Sequence, residues 1–558
     1  MAALAAVSAC SSVPTSGPVE YHTPQASQVA TSVRVAPLPP AADADQSLIV
    51  EGFLHAMSVY QPGYAIARLY LTQEASLTWN PDAGVTVYEE GYPPQPSGDS
   101  VVLTAPLKGT VDAEGAYHVA AGQVKQDFGL VKDANGQWRI STPPEGLLVS
   151  RYLFTTSYLS VNLHYLDNDG RMLVADPVWL ASGDDQLLRA LRRQLRQPGD
   201  WLAPLVRPQP EVRVVSVAAL GDSVQVELDA AALALTPDAR KELLGEFVYT
   251  SRQFVAEPSV SVSVNGAQWR VGDGSGPQYG LDDFPQWSTQ LADSNVYGVG
   301  ADSLVSVDTI VEDGQKTAVA ASPPGTLLAV DAQRRRAAVV GADRKTVSTI
   351  SLAGPAAPVE VLAGSALLRP EYSSTGELWI GRQAVFTGLT VVGEDGSHKA
   401  KVMWPQSAAA LADGKLTAFR LAPDGDRLAV ALQTPNGPAL GLMRVMRGDE
   451  TTLEGWQGVD LSWAGPPTAV LDVGWSDESE LTVLVTGQDS TTDVLRVSQD
   501  LAETSIIGPE SITGLVELAV YPGNPIFARS DTGGVYRYSA ESNWSLWTTG
   551  LDSIVYPR

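Results

Sequence analysis

Hydrophobic and polar positions follow three different rhythms along the chain, and each rhythm marks a region. From 45 to 150, two helical stretches come first. Asp45 is placed to cap a helix running through Tyr60, with Leu48, Phe53 and Met57 among the candidates for its buried side, and Pro62-Gly63 stops it. A shorter helical piece follows over 64–71. Apolar and polar residues then alternate over 85–88, 101–111, 117–127 and 127–140, the period of half-buried strands, with Asn135-Gly136 as a hairpin turn. Helices followed by a curled antiparallel sheet make an α+β unit.

A second α+β region covers 151–272. Residues 158–166 alternate, Asp169-Gly170 turns the chain, and 171–175 return. Asp184-Asp185 open a helix with Leu187, Leu188, Leu191 and Leu195 on one side, and Pro198-Gly199 end it. Strands are expected over 211–217 and 223–228. Thr236 then caps a helix whose first residue is Pro237, where the missing N–H costs nothing, and which carries Leu243, Leu244, Phe247, Val248 and Phe254 inward. Residues 260–264 and 268–271 close the region as a hairpin on Asn265-Gly266.

After a glycine-rich linker at 273–284, helical periodicity vanishes and short apolar strands recur to the end of the chain, 285–558. Five segments superpose, at 331–340, 372–380, 422–430, 476–483 and 521–528, each a polar turn followed by an apolar strand. With Ala338, Trp379, Ala429, Thr482 and Phe527 as equivalent positions, the steps are roughly 41, 50, 53 and 45 residues, the period of a four-stranded propeller blade. Strands at 295–307 and 536–556 supply a ring closure from both ends. The expectation is a C-terminal β-propeller of about six blades, with five or seven as alternatives, behind two α+β domains.

The first 44 residues read differently. Leu4-Ala5-Ala6-Val7-Ser8-Ala9 is a short apolar run closing on small residues, followed by Cys10, the only cysteine in the chain. Such a run is the end of a secretory signal, and Val7-Ser8-Ala9-Cys10 resembles a bacterial lipobox. That resemblance implies an S-diacylglyceryl, N-acylated Cys10 as the mature N-terminus. Met1-Ala2-Ala3 holds no Lys or Arg, so 1–10 is expected to be a truncated signal whose start lies upstream. Residues 11–44 are rich in Pro and Ser and form a tether.

Composition narrows the function. The chain of 558 residues is 44% hydrophobic and 18% charged, ordinary for packed domains. No later segment approaches the 18 apolar residues of a membrane span, so attachment would rest on lipid, and two acyl chains hold where one does not. A net charge of −26 argues against nucleic acid as a partner, because phosphate binding needs clustered Lys and Arg. The five histidines, His22, His55, His118, His164 and His398, fall at no metal spacing. No Gly-x-Ser-x-Gly elbow occurs. No cofactor and no catalytic residue is expected, although a propeller hydrolase with carboxylates drawn from different blades stays open. Arg189, Arg192, Arg193 and Arg196 stand out in so acidic a chain. They complement the C-terminal end of their helix, or they meet a partner or anionic headgroups. Asp167-Asn168-Asp169-Gly170 lacks the downstream glutamate of a calcium loop and reads as a turn.

Three resemblances follow from these residues. The segment Gly136-Gln137-Trp138-Arg139-Ile140-Ser141-Thr142-Pro143-Pro144-Glu145-Gly146 resembles the last strand of domains similar to the nuclear transport factor 2 fold. The order of elements in 151–272, with Leu-Leu-Gly-Glu-Phe-Val-Tyr-Thr-Ser-Arg-Gln-Phe at 243–254 and a Val-Asn-Gly turn at 264–266, is similar to the GerMN domain of sporulation and germination proteins. Lipobox, tether, α+β unit, GerMN-like domain and propeller, in that order, resemble the LpqB lipoproteins of actinobacteria. The resemblance implies a lipid-anchored accessory protein on the outer face of the cytoplasmic membrane. Its implied partner is the extracytoplasmic region of an MtrB-like sensor histidine kinase, hence a role in envelope homeostasis and division. The alternative is a lipoprotein that binds cell-wall glycan or a small ligand.

Overall fold

A computed structural model describes residues 36–558, apart from 99, 272–275, 290–294, 312–313, 323–324, 385–387, 397–398, 404–410, 412, 510 and 541–542. Cys10, most of the tether, His22 and His398 lie outside the described residues.

The first helix, Gln46–Ser58, starts where the Asp45 carboxylate accepts a hydrogen bond from Leu48 N at 2.9 Å. Its buried stripe is Ile49, Val50, Phe53, Leu54 and Met57, whereas Leu48 is 56% exposed. The helical period puts Leu48 off the row that Val50, Phe53, Leu54 and Met57 share, which corrects the expected face. The helix packs over a sheet ordered 138–140, 123–132, 100–111, 85–88, 147–150, in which the last two strands run parallel. The expected break at Asp127 is absent, because Gln123–Lys132 is one strand. It turns at the expected Asn135-Gly136, within 133–136, where the Asp133 carboxylate accepts from Asn135 N and Gln137 N and Gly136 takes a positive φ of 77°.

In the second domain the hairpin Tyr158–Leu166 and Leu173–Ala181 is longer than its sequence pattern predicts, and both strands are largely buried on both faces. A buried strand shows no alternation, so 176–181 gave no sign. The helix Pro237–Ser251 begins with Thr236 Oγ1 accepting from Ala239 N at 3.2 Å. It lies across a sheet ordered 214–220, 223–228, 259–264, 267–268. Phe254 falls beyond the helix end but still packs against this core.

Among the described residues of the third region, six four-stranded antiparallel sheets follow one another. Each adjoins the next and the last adjoins the first, giving a closed β-propeller. The first blade is shared: Val296–Val299 pairs with Ser553–Val555, so the chain end supplies its innermost strand. Ala338, Trp379, Ala429, Thr482 and Phe527 all sit on the second strand of their blades, fully buried.

Candidate functional site

The innermost strands carry charged residues where a barrel axis would otherwise be apolar. Arg369 and Glu371 come from blade 3, Arg420 from blade 4, Asp472 from blade 5 and Glu517 from blade 6, all of them buried. The Arg369 guanidinium reaches across the channel. It donates to Glu517 Oε1 at 3.0 Å, to Leu518 O at 2.6 Å and to Ile554 O at 3.2 Å, and pairs with Asp472 Oδ2 at 2.8 Å. Arg420 pairs with Asp472 Oδ1 at 2.9 Å, and Leu518 N donates to Asp472 Oδ2 at 2.8 Å. Glu517 also accepts from Arg529 Nε at 2.8 Å and from Ser553 Oγ at 2.6 Å. At the other end Glu371 accepts from Leu421 N at 2.9 Å and from Arg558.

Burial alone would discharge these groups. Burial opposes the charge on Arg369 as well, but Asp472 and Glu517 outweigh it and hold the guanidinium protonated above its ordinary range. Arg420 is pushed down to about 10 by burial and by Arg369, and stays charged at neutral pH. Each of these buried carboxylates is thus bonded to one or more guanidiniums and to further donors. On one side the channel opens into a cavity of about 440 Å3 whose rim carries the exposed Arg344, Asp531 and Asp552.

The hairpin of the second domain seats on blades 4 and 5. His164 Nε2 lies 2.7 Å from Glu478 Oε2, Trp179 Nε1 donates to Asp500 Oδ2 at 2.7 Å, and Arg444 Nη1 donates to Trp201 O at 3.0 Å. Arg427, 1% exposed, bonds Asp424 through Nε at 2.8 Å, Glu478 O at 2.7 Å and Ala175 O at 3.3 Å. Trp179 also joins the first domain. Its backbone N donates to Gly115 O at 2.8 Å, and its ring lies 6.4 Å from that of Tyr117.

The four arginines of the second domain are divided by this packing. Arg193 is 6% exposed and donates to Glu114 O and Gln197 O. Arg189 bonds Asp185 at 2.9 Å and lies 3.9 Å over the Tyr60 ring. Arg192 donates to Val214 O and Val215 O, and Arg196 is exposed. The helix is wedged between the first domain and the sheet, so the four do not share one solvated face. His118 is a surface residue 3.0 Å from Asp112, and Asp167–Gly170 is a hairpin turn, with Gly170 N bonded to Asp167 O.

Two family models match this chain: the lipoprotein LpqB N-terminal domain over residues 39–155 and the lipoprotein LpqB β-propeller domain over 295–557. The chain belongs to the LpqB lipoprotein family. Relatives named lipoprotein LpqB are similar along nearly its whole length. That of Cutibacterium acnes is 28% identical, covering 99% of this chain and 97% of the relative. That of Streptomyces avermitilis is 26% identical, covering 98% and 95%. Among solved structures, one from a nidogen/laminin complex superposes over 47% of this chain with a TM-score of 0.36 at 12% identity, too slight a likeness to bear on function. For this LpqB family member, the residues that sequence reasoning missed are the channel ions and the Trp179 and His164 contacts. No helix among the described residues is long and apolar enough to cross a membrane.

Proposed function

We propose that this LpqB family member is a lipid-anchored binding protein without catalytic activity, held through Cys10 at the outer face of the cytoplasmic membrane. Its partner in this reading is the extracytoplasmic region of an MtrB-like sensor histidine kinase, whose signalling in envelope homeostasis and division it modulates. The observation that carries the non-catalytic part is the channel. General acid–base work needs a group free to give or take a proton at working pH, and Asp472 and Glu517 are spent on Arg369, Arg420 and Arg529. What such a fold offers is rigid surface. Anchoring both proteins to one membrane raises their effective concentration, so a weak interface suffices.

The test is a titration of the full chain against the purified sensor domain, with saturable binding expected. No binding at high concentration overturns the partnership. The cavity at the channel mouth favours a second reading, since its volume suits a small ligand and its rim charges of both signs suit a polar one. Binding to purified cell wall that persists in cells lacking the kinase would favour that reading.

A further inference from the structure

The strand Val214–Leu220 is the open edge of the second domain's sheet. Its inner side pairs with Ser223–Leu228. Along its outer side the described residues supply only one partner, Arg192, whose guanidinium caps Val214 O at 3.0 Å and Val215 O at 2.8 Å. Beyond that point Ser216, Ala218, Ala219 and Leu220 are exposed, Leu220 by 85%, and Val215 is 52% exposed. Exposed edges usually carry charge, proline or a bulge against stray pairing. This one has a bulge near its start, between Val214 and Ser216, and then runs in regular register through small and apolar side chains.

Charge at the same edge is opposite to that of the molecule. In a chain of net charge −26, Arg213 immediately precedes the strand, Arg192 lies on it, and Arg196 stands four residues after Arg192, just past the end of its helix. Arg196 and Arg213 are exposed, and their side chains make no hydrogen bond or ion pair among the described residues. Asp222, in the turn at the far end, and Glu211, before Arg213, are exposed acids. The positive charge is therefore concentrated at the beginning of the strand.

We infer that this edge is a docking site for an extended acidic polypeptide segment of the partner, which adds to the sheet as a fifth strand. Main-chain hydrogen bonds along 216–220 would supply the affinity, and Arg192, Arg196 and Arg213 the preference for acidic side chains. The inference rests on the reading of the chain as a binding protein and places the contact on the second domain, away from the propeller channel.

The test uses the full chain with two probes: the purified sensor domain and a labelled nine-residue peptide of alternating Val and Glu. Three double variants are compared, all at exposed positions: R196E/R213E, A218D/L220D and A218K/L220K. Both acidic variants are expected to weaken binding of either probe at least tenfold and to flatten its salt dependence. The lysine variant is expected to bind as well as the parent or better, which general damage to the edge would not produce. Unchanged thermal melting shows that the fold is intact. Sensor-domain binding unaffected by the acidic variants overturns the edge but leaves the kinase partnership standing. If the sensor domain does not bind the parent chain while the peptide binds and responds to the variants, the partnership fails and the edge stands. A peptide that does not bind the parent, together with a sensor domain indifferent to all three variants, overturns the edge.

Discussion

Replacing Arg369 by Met keeps most of the side-chain volume and removes the charge that ties blade 3 to blades 5, 6 and 1. Glu517 then keeps Arg529 and Ser553, and Asp472 keeps Arg420 and two backbone amides. Neither carboxylate is abandoned, but the carbonyls of Leu518 and Ile554 lose a donor and one positive charge leaves a buried cluster. Breaking a buried ion pair costs about 3–5 kcal/mol, and each orphaned carbonyl about 1–3 kcal/mol. Because the remaining guanidiniums take up part of the load, a loss of about 4 kcal/mol is expected. Urea unfolding followed by tryptophan fluorescence would give the total. Hydrogen exchange would locate the loss, which should be concentrated where Val296–Val299 meets Ser553–Val555, since Ile554 lies on that seam. Arg369→Lys, which keeps the charge but loses the planar fork, should recover only part of it. A loss below about 1 kcal/mol, or exchange raised equally in all blades, would refute the idea that this guanidinium holds the ring closed.

Other expectations follow from packing and titration. Gly245→Ala drives a methyl into the Trp287 ring, which is stacked on Phe284; overpacking should cost about 1–3 kcal/mol in urea unfolding, and an unchanged midpoint would show that the ring can give way. Burial pushes the Glu246 carboxyl up to about 7. The folded form thus binds its proton more tightly than the unfolded chain, and this contribution is complete below about pH 4.5 and lost as pH rises through 7. Glu246→Gln should flatten the stability–pH slope in that window by up to about 1.4 kcal/mol per pH unit. Glu478 behaves oppositely: burial pulls its carboxyl up, but His164 outweighs it and holds it down to about 2. Its contribution is present above about pH 4.5 and lost as pH falls toward 2, and Glu478→Gln should weaken that acid limb in the same titration. Trp179→Phe removes the bond to Asp500 and about 1.5–3 kcal/mol, and exchange should rise in the 158–181 hairpin and around Asp500 together.

What the chain revealed before folding depended on whether the signal was local. Thr236-Pro237, the Asn265-Gly266 turn and the Asp45 cap are contacts within a few residues, and each appears where its spacing placed it. The blade repeat was legible because one fully buried position recurs, at Ala338, Trp379, Ala429, Thr482 and Phe527. The channel ions obey the same period, at Glu371, Arg420, Asp472 and Glu517, once per blade on the innermost strand. Asp472 and Glu517 are each a single charge inside an apolar run, as in Ala-Val-Leu-Asp-Val-Gly-Trp around Asp472. That oddity was a usable signal. What no local pattern supplies is the partner, because Arg369 meets Glu517 across 148 residues of chain. Arg193 was grouped with Arg189, Arg192 and Arg196 for the complementary reason: their spacing describes a helix face, while the first domain that covers Arg193 is specified far upstream.

The three-way joint at Trp179 bears on how the molecule would signal. Its ring, backbone amide and indole N–H belong to contacts with different domains, and His164, Arg427 and Trp201 reinforce the seat on blades 4 and 5. Contacts that are buried and specific in direction resist sliding, because a small displacement leaves charges unpaired. A partner strand added at Val214–Leu220 would therefore be held at a fixed bearing from the propeller rather than on a swivelling arm. Under the proposed anchoring at Cys10, the residues before the first helix join this unit to the membrane. Changes in tether length should accordingly alter how often the partner is met far more than how tightly it is held, since linker length acts on effective concentration and leaves the interface unchanged.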